Sequence, residues 1–293
     1  MSESHVHSQS LSLSLTITSA LIVLTALVYL RGWLSLRNAF PNLVAGWRLA
    51  AFMSGLVAVW AAVASPLATL DHQSLTIHML KHLVLMTIAA PLALAGAPVF
   101  PLMCGLPKLF IKIHPALASL PARWFKRYLR HPVLCWLAGT AAVIGWHIPG
   151  AFELGMRSHW VHIVEDVCFL VAGLFFWRPI VPSSPSATSS PRWSMALYLF
   201  LATVPCDILS AFLTFCGRVV YPNYLSTARI FNLSPLQDQE SAGALMWVWV
   251  TFAYLIPAVI ITMEILSPSN TQSRRVFEVG RDKTAARSLN SAL

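Results

Sequence analysis

Residues 75–97 read LTIHMLKHLVLMTIAAPLALAGA. A helix needs about 20 apolar residues to cross a bilayer, and this stretch meets that length. Backbone polar groups in hydrocarbon must be satisfied within the segment, so the run is read as a transmembrane helix. His78, Lys81 and His82 are then ionisable groups inside a span, where they are costly and usually functional. His78 and His82 stand four apart, on one helical face and separated by about 6 Å along the axis. Two imidazoles so placed can bind one metal ion. The same spacing also serves histidines that hydrogen-bond to neighbouring helices.

Similar runs occur outward from this stretch, at about 11–30, 46–67, 132–151, 160–181, 193–214 and 242–266. The expected fold is therefore all-α, a polytopic bundle of seven transmembrane helices. Apolar residues make up 57% of the 293 positions and charged residues 11%. A soluble domain carries about 25% charged residues, and a chain this apolar is not disordered. Alternate connecting segments hold sixteen Lys and Arg on one side and three on the other, with Lys81 inside a span. The positive-inside rule then puts the N-terminus outside and the C-terminus in the cytoplasm. The formal charge of +9 is thereby assigned to orienting loops, and nucleic acid is not an expected partner, since no basic patch is interleaved with exposed aromatics.

The expected organisation is an external tail over 1–10, a membrane domain over 11–267 and a polar, disordered cytoplasmic tail over 268–293. The first residues show no signal-peptide pattern. Residues 98–131 suit an amphipathic segment or a plain topogenic loop at the cytoplasmic surface, and the Ser/Pro-rich stretch 182–191 suits a flexible loop. The five cysteines form neither a CxxC pair nor a disulfide framework.

With direction assigned, the chemistry gathers in the outer half of the spans. His147 lies near the end of the fourth span, before Pro149. His162, Glu165 and Asp166 share the first turns of the fifth, and Asp207 lies in the sixth behind Pro205. Imidazole and carboxylate together hold divalent copper, zinc or iron. The candidate metal ligands are His78, His82, His147, His162 and Asp166. Glu165, Asp166 or Asp207 can alternatively orient a ligating imidazole from behind. Met246, Cys206 and Cys216 would suit cuprous copper, although such residues more often only pack. Lys81 needs a partner, with Asp166 and Asp207 as the nearest candidates by depth.

These residues carry a resemblance. His78-Met79-Leu80-Lys81-His82, followed by Ala90-Pro91-Leu92 and Gly96-Ala97-Pro98, resembles the third-span signature of the seven-span CtaG family of caa3-type cytochrome c oxidase assembly factors. This family is distinct from the single-span copper chaperone of the same name. Trp146-His147-Ile148-Pro149, the run from His159-Trp160-Val161-His162 to Phe176-Trp177-Arg178-Pro179, and Tyr221-Pro222-Asn223-Tyr224 resemble later family motifs. So do Leu233-Ser234-Pro235-Leu236 and Met246-Trp247. The match spans about residues 40–265. It implies a role in building the oxidase, in forming its copper centre, with oxidase subunits and a periplasmic copper chaperone as partners and the bacterial inner membrane as location. One departure stands out: the family commonly has a second histidine four residues after the one matched by His162, and here that position is Asp166.

Three other functions fit the same residues. A membrane haem protein could use paired histidines as axial ligands, though two on one helix face cannot take opposite haem faces. A transporter could relay ions through Lys81, Asp166 and Asp207, but no internal repeat is visible. A scaffold could use its histidines structurally. An enzyme is not expected: Met79 stands where HEXXH requires Glu, and there is no GxSxG or P-loop.

Overall fold

The computed structural model describes residues 2–38, 44–107, 131–181, 191–226 and 232–267, with side chains from Ser14 onward. The described residues are helical and contain no strand. Helix α1 runs over Ser2–Leu36, α2 over Gly46–Val63, α3 over Leu75–Val84, α4 over Ala90–Ala95 and α5 over Val99–Gly105. Helices α6 (Pro132–His147), α7 (Pro149–Arg157), α8 (His159–Trp177), α9 (Arg192–Phe215) and α10 (Pro235–Leu266) complete the bundle. Six segments are long and apolar enough to cross a membrane, and the bent pair α6–α7 makes a seventh if counted as one span.

The sorting of side chains is that of a membrane protein. Val57, Phe200, Ile208, Val248, Phe252 and Ile256 face outward, whereas His78, Lys81, His82, His162 and Glu165 are buried. An apolar exterior this extensive needs lipid or protein to cover it.

The third span is not a uniform helix. Between α3 and α4 the chain takes one π-helical stretch, Leu85–Ala89. Pro91 explains it: proline has no N–H to give the Thr87 carbonyl, and its ring collides with that carbonyl in a regular α-helix. The wider turn accommodates both problems. Trp177 Nε1 donates to the Met86 carbonyl at 2.9 Å, and Trp249 Nε1 donates to Thr87 Oγ1 at 2.8 Å. Helix α8 approaches this stretch closely because Gly173 has no side chain. A Cβ there would lie 2.9 Å from the Met86 backbone and from Ala90 Cβ.

The fourth span departs from the continuous 132–151 helix expected from sequence. It ends at His147, and α7 leaves at 74°. The residue before a proline avoids helical ψ, and Ile148, ahead of Pro149, has ψ 126°. The first span also differs: α1 extends to Leu36, past Arg31, because a long basic side chain keeps its charge in water from a helix end without breaking the helix. Residues 2–10, read as a tail, continue α1. The last helix begins at Pro235 rather than 242, behind a Ser234–Gln237 capping box. The polar stretch 268–293, most of the amphipathic segment and the Ser/Pro-rich loop lie outside the described residues.

Candidate metal centre

One end of the bundle is tied together by polar contacts. The Asp238 carboxylate, in the first turn of α10, accepts from Leu75 N at 2.6 Å, Ser74 Oγ at 2.9 Å and Thr76 Oγ1 at 2.7 Å. A carboxylate there satisfies the open amides at the start of α3 and complements its dipole. Tyr221 donates to the His147 carbonyl at 3.0 Å, and Tyr224 donates to the Asp71 carbonyl at 2.8 Å. These contacts fix the loop before α3, the α6–α7 corner and the segment before α10 around the starts of α3 and α8.

Inside that ring lies a buried cluster of ionisable groups. Lys81 Nζ is 2.7 Å from Asp71 Oδ2 and 3.0 Å from Asp166 Oδ1. His162 Nε2 is 2.6 Å from the same Nζ and 2.9 Å from the same Asp71 oxygen, so ammonium, imidazole and carboxylate form a triangle. Its other nitrogen, Nδ1, stands 3.3 Å from Glu165 Oε2. Glu165 Oε1 faces His78 Nε2 at 3.5 Å and His82 Nε2 at 3.8 Å. The His78 and His82 rings meet edge to face, with centroids 4.4 Å apart. None of the four ring nitrogens of these two histidines has a hydrogen-bond partner. Buried polar atoms left open are rare and call for an explanation.

Asp71 lies in the loop between spans. Burial alone would push its carboxyl up, but the hydrogen bond with His162 and the charge of Lys81 outweigh that and hold it well below the usual carboxylate range. The neighbouring His72 ring is held below the ordinary imidazole value, chiefly by burial.

Two sets of atoms have the spacing to hold a metal ion: Asp71, His78 and His162, and His78, His82 and Glu165. His78 belongs to both. Of the five ligands expected from sequence, His78, His82 and His162 therefore come together. Asp166 is in neither set; its Oδ1 takes up Lys81 and lies 3.5 Å from His82 Nε2. His147 is also outside them. Its Nδ1 is 2.7 Å from the Val143 carbonyl and its Nε2 3.2 Å from Met79 Sδ. Lys81 pairs with Asp166, as anticipated, and with Asp71, but not with Asp207, whose Oδ1 has no hydrogen-bond partner.

Sequence reasoning missed Asp71 as a member of the centre and gave Glu165 only a supporting place. Glu165 carried a signal, the three-residue step from His162 that puts both on one face of α8. Asp71 carried none, because a loop has no periodicity.

The fold and this cluster define a polytopic membrane protein with a buried histidine–carboxylate centre at one end of its bundle. The family model of the cytochrome c oxidase caa3 assembly factor (Caa3_CtaG) matches residues 27–267, and the chain belongs to that family. An uncharacterized protein of Mycobacterium leprae (strain TN) is 24% identical over 271 residues, covering 88% of this chain and 40% of the relative. An uncharacterized protein of Mycobacterium bovis is 24% identical over 260 residues, covering 87% of this chain and 38% of the relative. The chain thus spans about two fifths of the length of the curated relatives it matches. No solved structure matches it.

Proposed function

We propose that this protein serves the assembly of a cytochrome c oxidase by holding copper as cargo at the outer face of a bacterial inner membrane and passing it on. Family membership supports the oxidase, and oxidase subunits and a periplasmic copper chaperone are the partners this reading requires. The distribution of Lys and Arg supports placing the N-terminus, and with it the centre, on the outer side.

The observation that carries the metal reading is the pair His78 and His82, whose ring nitrogens are buried without hydrogen bonds while both Nε2 atoms face Glu165. Neutral imidazole and carboxylate are the donors that divalent copper takes. Charge agrees. The cluster holds three carboxylates, Asp71, Glu165 and Asp166, and one ammonium, Lys81, which pairs with Asp71 and Asp166. Even with a proton on each nitrogen of His162, which face Asp71 and Glu165, the cluster has one negative charge in excess, and a buried excess of charge needs a counter-ion.

The two ligand sets suggest how an ion is handled. His78 is common to both, so an ion can exchange Glu165 and His82 for Asp71 and His162 without leaving that imidazole. Lys81 holds Asp71 and Asp166 in place from the other side. Asp166, where the family commonly has histidine, serves the ammonium first.

The test is anaerobic titration of purified protein with divalent copper, read by electron paramagnetic resonance. Nitrogen hyperfine structure is expected in the wild type and is lost in H78A/H82A, with a thermal melt confirming that the variant is folded. Equal binding by both proteins would remove the metal from this reading and leave a scaffold.

A further inference from the structure

Beside the cluster, on the side of Met79 rather than His78, six helical segments line a cavity of about 20 Å³. An ion or a single water fits a space of that size. Three thioethers, Met79, Met86 and Met246, and the thiol of Cys206 line it, together with His82 and His147. They come from α3, the π-helical stretch, α6, α9 and α10, so no local sequence run brings them together.

Each sulfur alone is ordinary packing. Two further observations point to a ligand. His82 is 4% exposed, and neither of its ring nitrogens has a hydrogen-bond partner. His147 has Nδ1 engaged by the Val143 carbonyl, which fixes the ring and leaves Nε2 directed at Met79 Sδ, 3.2 Å away. An oriented imidazole nitrogen beside a thioether sulfur is a donor pair that one ion can bridge, and the carbonyl behind it plays the part of the partner that a ligating histidine usually has.

We propose that this cavity is a second metal site, selective for a soft monovalent ion, with cuprous copper as the cargo it takes. Thioether, thiol and imidazole are the donors that select Cu(I), whereas the carboxylate-rich cluster above offers hard oxygen. The site also extends the copper-holding reading above. His82 lines the cavity and faces the cluster, so one imidazole stands between the two donor sets. No change of oxidation state is required, because the ion enters as Cu(I).

The experiment loads the full-length protein in detergent with Cu(I) under anaerobic conditions and records copper K-edge X-ray absorption. A sulfur shell at about 2.3 Å is expected, and it should persist in H78A, which disables the upper cluster alone. In M79L/M246L, a swap that largely conserves volume, Cu(I) affinity should fall more than about tenfold, while the divalent-copper signal of the upper cluster remains. A shell of nitrogen and oxygen only in the wild type would overturn the proposal. So would unchanged affinity in M79L/M246L. Either result leaves the divalent reading of the upper cluster standing, and loss of the divalent signal in H78A leaves this cavity untouched, since His78 does not line it.

Discussion

Asp71 joins the ends of two spans through a single carboxylate, shared between Lys81 and His162. Its carboxyl is held below its unfolded value. A group depressed on folding adds stability above its unfolded pKa, about 4, and that stability is lost as pH falls towards the folded value. The thermal midpoint in detergent should therefore be flat from neutral pH down to about 5 and should fall below about 4. D71N should lower the plateau by an amount corresponding to about 3–5 kcal/mol, the cost of removing one partner from a buried ion pair. It should also have a shallower acid limb than the wild type. Parallel acid limbs in the two proteins would show that Asp71 does not carry the pH dependence. At this scale the sequence showed the identity of the chemistry and one of its pairings, Lys81 with Asp166, but not the others. His78 and His82 were legible because helical spacing fixes their shared face. The choice of Asp166 over Asp207 for Lys81, and the entry of Asp71 from a loop, depend on how α8 and the preceding turn pack on α3.

Among the elements, the π-helical stretch and α8 form a close backbone approach. Gly173 permits it, and the Trp177–Met86 hydrogen bond secures it. Alanine is the better helix former by up to about 1 kcal/mol, but a Cβ 2.9 Å from backbone atoms cannot be relieved by a side-chain rotation. The clash should win. G173A is expected to destabilise the protein by about 1–3 kcal/mol, measured by thermal or denaturant unfolding in detergent. G145A, where a Cβ meets nothing within 4 Å, should be neutral or slightly stabilising. Similar stabilities for the two variants would mean that this approach is looser than described. The spans themselves were legible because length and apolarity in lipid leave only helix as an answer. Their interruptions were harder to read. Pro149 and Pro91 mark both in the sequence, yet one produces a 74° bend and the other a widened turn within a continuing span. The difference lies in what surrounds each proline: Trp177 and Trp249 engage the π stretch from neighbouring helices.

For the whole molecule, the charge asymmetry makes a claim about sidedness that labelling can check. In a cysteine-free background, a cysteine at Asn223 should react with a membrane-impermeant maleimide from outside intact spheroplasts, and one at Arg37 only after lysis. The reverse pattern would invert the bundle and put the histidine–carboxylate centre on the cytoplasmic side. The gathering of buried acids and histidines at one end was visible in the sequence once direction had been assigned. The soft-walled cavity beneath was not, because its six donors come from five helical segments and meet only through packing.

The bend after His147 also bears on the lipid. Helix α6 has 16 residues and so rises only about 24 Å, against roughly 30 Å for the hydrocarbon core. Helix α7 turns aside instead of completing the crossing. On this flank the helix is shorter than the hydrocarbon core, a mismatch that bilayer thinning, snorkelling side chains or association with a partner can relieve. Thinned lipid carries a free-energy cost that shrinks when another membrane protein covers the same flank. The corner that shapes the rim of the histidine–carboxylate centre would thereby also favour a membrane partner on that flank.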